Sequence, residues 1–131
     1  MKIIISSISI LVFVLLLNIN LIACPQDSIA TVSKDNLCKT WNLKELTENG
    51  KSQDLYEYQI VFNADGTYSE TEEGDIEKGI WELNDNSTSI IFDKNTPDQD
   101  EWVIVNFDNE KLIVKFTDED KNFQFTLIPV K

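Results

Sequence analysis

From Leu37 to Lys131, apolar and polar residues alternate in short runs, each closed by a cluster of Asp, Asn or Gly. The runs recur at about 8 to 12 residues, the spacing of an all-β sandwich or barrel. A helix could not use this pattern, because a buried helical stripe needs apolar residues at a 3.6-residue period and no segment here sustains one. A period of two instead places alternate side chains on one face of a strand. The runs mark eight strands, at 39–47, 55–63, 67–73, 76–83, 87–93, 101–107, 111–117 and 122–130. The pieces between them, such as "ADG", "EGD", "NDNS" and "DNE", are hairpin-length and rich in turn formers. Sequence neighbours should therefore pair, and eight such strands close into an all-β, antiparallel up-and-down barrel with no free edges. A two-layer sandwich would need a long crossover, for which "KNTPDQD" is the only candidate.

Alternation assigns the inner face. Tyr56, Tyr58, Ile60 and Phe62 share one side of their strand, Leu112, Val114 and Phe116 of another, and Phe123, Phe125 and Leu127 of the last. Trp41 with Leu43, and Trp81 with Leu83, add bulk from the first and fourth strands. These residues either fill the interior completely, as eight strands allow, or leave a lumen for one small apolar or aromatic ligand. The lining expected for such a lumen is Trp41, Tyr58, Phe62, Tyr68, Glu70, Trp81, Trp102, Phe116 and Phe125.

The "NADG" turn carries the register. Asparagine first and glycine fourth predict a three-residue loop, Ala64 to Gly66, with a left-handed last residue. That loop sets Phe62 opposite Tyr68, Ile60 opposite Glu70 and Tyr58 opposite Glu72. If the aromatics point inward, both glutamates do too, yet an ionised carboxylate without water or a partner is costly to bury. Either the lumen holds water or a cation-bearing ligand beside them, or a bulge in "SETEEG" turns them outward; the expectation is the bulge or a flared rim.

The start of the chain has a different logic. Lys2 precedes "IIISSISILVFVLLL" and then "NINLIAC", the layout of a secretory leader over residues 1–23. A spanning helix is the competing reading, but Asn18 and Asn20 interrupt it and no basic cluster follows. "LIAC", Leu21 to Cys24, resembles the bacterial lipoprotein box, in which the cysteine is acylated and becomes the new N-terminus. Cys24 would then be the lipid anchor, with two acyl chains sufficing at about 0.8 kcal/mol per buried methylene. Residues 24–36 would be a polar tether with at most one helical turn, and residues 37–131 the barrel. With Cys24 acylated, Cys38 has no partner in the chain and is expected as a small buried hydrophobe near the first strand.

Composition narrows the chemistry. The chain has 23 acidic residues against 11 basic ones, a net charge of −12. That excludes nucleic acid, whose phosphates need basic patches, and repels anionic headgroups, so lipid must supply the membrane affinity. Histidine and arginine are absent, which rules out imidazole-based nucleophilic sites and guanidinium clamps. Carboxylate-rich stretches such as "TDEDK" match no calcium loop and read as solvated hairpin tips. No catalytic residue, metal or cofactor is expected.

Four segments in order, "LCKTWNL" (37–43), "IVFNADGTYS" (60–69), "GIWEL" (79–83) and "EWVIVNFDNEKLIVKF" (101–116), resemble the small lipocalin-like domains of bacterial lipoproteins, common in Bacteroidetes. That family opens with Leu-x-Gly-x-Trp; Leu37 and Trp41 match, and Lys39 stands where the pattern has glycine. The resemblance implies a calycin-type barrel with room for an internal ligand. Two functions follow: a lipid-anchored, non-enzymatic envelope protein, on the outer membrane or elsewhere, holding a small apolar or aromatic molecule; or an acidic module that binds a cationic protein through its outer face. The first requires an open lumen and the second a packed interior.

Overall fold

A computed structural model describes residues 31–131. The expected leader (1–23) and Cys24 lie outside the described residues. A single helical turn, α1 (Lys34–Leu37), precedes β1 (Thr40–Glu48), β2 (Lys51–Ser52), β3 (Tyr58–Phe62), β4 (Thr67–Glu72), β5 (Asp75–Leu83), β6 (Ser89–Phe92), β7 (Asp100–Phe107), β8 (Leu112–Asp118) and β9 (Lys121–Pro129). From β3 to β9 each strand pairs with the next, and β1 bonds both β3 and β9, so the sheet closes. The result is the antiparallel eight-stranded barrel that the alternation predicts. β2 pairs only with the far end of β1, as a short hairpin arm outside the count of eight.

The "NADG" turn sets the expected register: Phe62 faces Tyr68, Ile60 faces Glu70 and Tyr58 faces Glu72. Gly66 takes φ +87°, a conformation that side chains disfavour, and its N–H donates to Asn63 O at 3.1 Å.

Three differences from simple alternation have physical causes. In β1 the register with β9 shifts between Leu43 and Glu45, where Lys44 is the extra residue of a bulge; Trp41 and Leu43 point inward before it and Leu46 after it. In β7 the same happens at Val105, between Ile104 and Asn106. The strand expected from residue 55 starts at Tyr58, because the edge of β1 that β3 uses runs only from Thr40 to Asn42. Further along that edge the chain folds back through Asn49 (φ 50°) and Gly50 (φ 80°) into β2, the all-positive pair of a tight hairpin turn.

One end of the barrel is plugged. Ser33 caps α1 by accepting from Asn36 N–H at 3.2 Å, and Leu37 is fully buried. The indole N–H of Trp41 donates to Leu37 O at 3.0 Å, which fastens the plug to β1. Val32, 6% exposed, joins the same core, so the described part of the stretch read as a tether is packed here. Lys39, in place of the pattern's glycine, keeps its ammonium over the Trp41 ring at 5.3 Å. Above the plug Ile60, Phe62, Trp81, Ile90, Phe107, Leu112 and Leu127 fill the lumen. Cys38 is a free, half-buried thiol beside this core, and burial raises its pKa. Among the described residues no helix is long and apolar enough to cross a membrane.

Candidate ligand-binding site

Packing stops halfway up the barrel. At the end opposite α1 a cavity of about 1010 Å³ opens to solvent. Its floor is a continuous set of rings: Tyr58 meets Phe125 edge-on at 5.0 Å, Phe116 meets Phe125 at 4.8 Å, and Trp102 stacks on Phe116 at 5.4 Å. Phe92 packs edge-on against Trp102 at 4.9 Å and against Tyr68 at 5.0 Å. These residues converge because they share the inner parity on β3, β4, β6, β7, β8 and β9 and their rings touch in one chain.

Polar groups stand on this floor in fixed positions. The Tyr58 hydroxyl donates to Glu70 Oε1 at 2.5 Å, so the carboxylate leans onto the aromatic floor. Burial raises the Glu70 pKa; the Tyr58 hydrogen bond opposes the rise, while Glu77, Glu72 and Asp100 add to it by repulsion. Burial and then Glu70 raise the Tyr58 phenol well above its usual value, and burial with Glu72 and Glu70 pushes Tyr56 up to about 12. Asp100 is raised by burial against a hydrogen bond from Glu101 N–H. On the far wall the Tyr68 hydroxyl donates to Asp93 Oδ2 at 3.0 Å, while Asp93 Oδ1 accepts from Ile80 N–H at 3.0 Å.

The mouth is also slit on one side. β7 and β8 stay paired up to Val103 and Lys115 and then part, whereas β8 and β9 remain paired to Asp118 and Lys121. An outer groove of about 850 Å³, flanked by the β1–β2 hairpin, meets the cup through this slit at Asp100, Phe116 and Phe123.

Of the nine residues expected to line a lumen, Tyr58, Tyr68, Glu70, Trp102, Phe116 and Phe125 line the cup. Trp41, Phe62 and Trp81 do not: they lie in the filled half, where the indoles of Trp41 and Trp81 donate to Leu37 O and Asn63 O. The expected bulge in "SETEEG" is absent: β4 pairs regularly, Glu72 is exposed at the open rim, and Glu70 stands half-buried against the floor, bonded to Tyr58. Sequence reasoning misses Phe92 and Asp100. Phe92 closes the four-residue run "SIIF", too short to show its parity clearly, and Asp100 reads as loop although it begins β7.

Comparison with curated proteins finds no match. A family model described as the lipocalin-like domain matches residues 37–114, from the plugging leucine into β8. The match covers more than half of the sequence and agrees with the closed barrel and its single open end: the chain belongs to the lipocalin-like domain family.

Proposed function

We propose that the protein binds a small molecule in the cup and holds it without transforming it, while a lipid on Cys24 ties the barrel to a membrane of the bacterial envelope. The observation that carries the binding reading is the cup itself: an open cavity floored by Tyr58, Trp102, Phe116 and Phe125 in one ring network. Its volume, about 1010 Å³, is close to the upper limit of ligand pockets, roughly 300–1,000 Å³. Aromatic walls with a few oriented polar groups are the usual makeup of such sites. Lipocalin-like domains are generally non-enzymatic, which supports binding without turnover. An interior packed from end to end would have favoured the other reading, an outer face that binds a cationic protein.

The anchor rests on sequence: an apolar leader ending in "LIAC" and a polar stretch directly after it. Two measurements test the two parts. A screen of small aromatic compounds followed by tryptophan fluorescence should give saturable changes that vanish in Trp102→Phe; a response that survives in that variant places binding elsewhere. Radiolabelled fatty acid should enter the wild-type protein and not Cys24→Ser, and equal labelling of both would refute the anchor.

A further inference from the structure

The mouth of the cup is predominantly negative. Glu70, Glu72, Glu77, Asp98, Asp100 and Asp118 line it, and among the described residues that line it only Lys78 is cationic. Glu70 differs from the others in standing against the floor, bonded to Tyr58 within the ring network rather than on the rim. A neutral apolar ligand filling the cup would strip water from Glu70 and leave its charge with a phenol alone, a costly exchange. An anionic ligand would meet the whole rim as repulsion. A metal ion fits no better, since no group of three or more acids among the described residues is placed to hold one. An organic cation satisfies both surfaces at once: its charge pairs with Glu70, and its body packs on the ring floor where that floor is open, at the half-buried Phe116 above the buried Tyr58 and Trp102.

Resting on the proposed cup, we infer that its ligand class is an organic cation, an amine or quaternary ammonium on an aromatic or short apolar body, with Glu70 as counter-ion and Tyr58 as the residue that positions it. The slit between β7 and β8 gives a longer substituent a way out beside Phe116 and Phe123. The steric requirement is modest, because the floor is already assembled without ligand.

Three isosteric probes on the wild-type protein test this: 2-naphthylethylammonium, the matching neutral alcohol and the matching carboxylate, titrated by calorimetry at fixed ionic strength. The ammonium should bind at least tenfold more tightly than the alcohol, with the carboxylate weakest. Glu70→Gln keeps an acceptor for Tyr58 and should cut ammonium affinity about tenfold while changing the alcohol less than twofold. Glu110→Gln, on the β7–β8 turn at the plugged end, should leave the preference intact and so separate Glu70 from the general field of a −12 protein. Equal binding of ammonium and alcohol, or a preference that survives Glu70→Gln, overturns the cation assignment and leaves the small-molecule cup standing. Failure of all three probes overturns the cup reading as well.

Discussion

Glu70 is held where burial works against its charge. Burial makes the folded state bind its proton more tightly than the unfolded chain does, so its contribution to stability is full below the ordinary carboxyl pKa of 4.5 and is lost as pH rises through the raised folded value. The groups that face it are Tyr58 on β3, Glu72 on β4, Glu77 on β5 and Asp100 on β7, and the three acids act in the same direction as burial. Glu70→Gln should therefore melt a few degrees higher than wild type at pH 7, with the gap closing toward pH 4; a variant that melts lower at pH 7 would contradict this. Gly79 has the opposite character, a residue fixed by its neighbours. A Cβ there would sit 2.2 Å from Asp93 Oδ1 and 2.7 Å from the Tyr68 ring, displacing the carboxylate that holds Tyr68 and the Ile80 N–H. Gly79→Ala should cost about 1–3 kcal/mol in urea denaturation, the usual range for overpacking. A cost near zero would mean that Asp93 moves aside freely.

Among the elements, the hairpin turns show how far local sequence controls pairing. Asn49–Gly50 and Glu73–Gly74 each place two successive residues at positive φ, and so does Glu119–Asp120, with φ 45° and 65° and no glycine at all. A glutamate in the left-handed region costs about 1 kcal/mol that asparagine largely avoids. Glu119→Asn should stabilise the barrel by roughly 0.5–1 kcal/mol in chemical denaturation, without moving the register of Asp118 with Lys121. The strands were legible because every second residue of "YQIVF" and "LIVKF" is apolar, even though Val61 and Ile113 add apolar residues on the outer face, and the β3–β4 register because "NADG" admits few loop geometries. The bulges were harder to read, though not silent: Leu43 to Leu46 and Ile104 to Phe107 are inner pairs spaced by three instead of two, a break in period that only an extra residue reconciles. Which inner residues form the cup was not legible, because alternation gives the face of a strand and not the height along the barrel. Trp41, Phe62 and Trp81 share the face of Tyr58 and Trp102, but they sit on the plugged side.

At the scale of the molecule the barrel is divided into a sealed half and an open half, and the division is made by α1. Val32, from the stretch whose sequence reads as tether, and Leu37, at the first position of the barrel segment, stopper one end, so the identity of the open end depends on packing that no periodicity records. The net charge of −12 then falls in part on the open rim, where it sets the sign of the field that an incoming molecule meets. The three tryptophans report on this division. Trp41 and Trp81 are tied to backbone carbonyls in the sealed half, and Trp102 is in the cup. The most direct measurement is therefore an NMR titration of the three indole N–H signals with 2-naphthylethylammonium. The predicted result is a saturable shift of the Trp102 signal with those of Trp41 and Trp81 nearly unmoved; shifts confined to Trp41 and Trp81, or none at saturating probe, would contradict a binding cup at the open end.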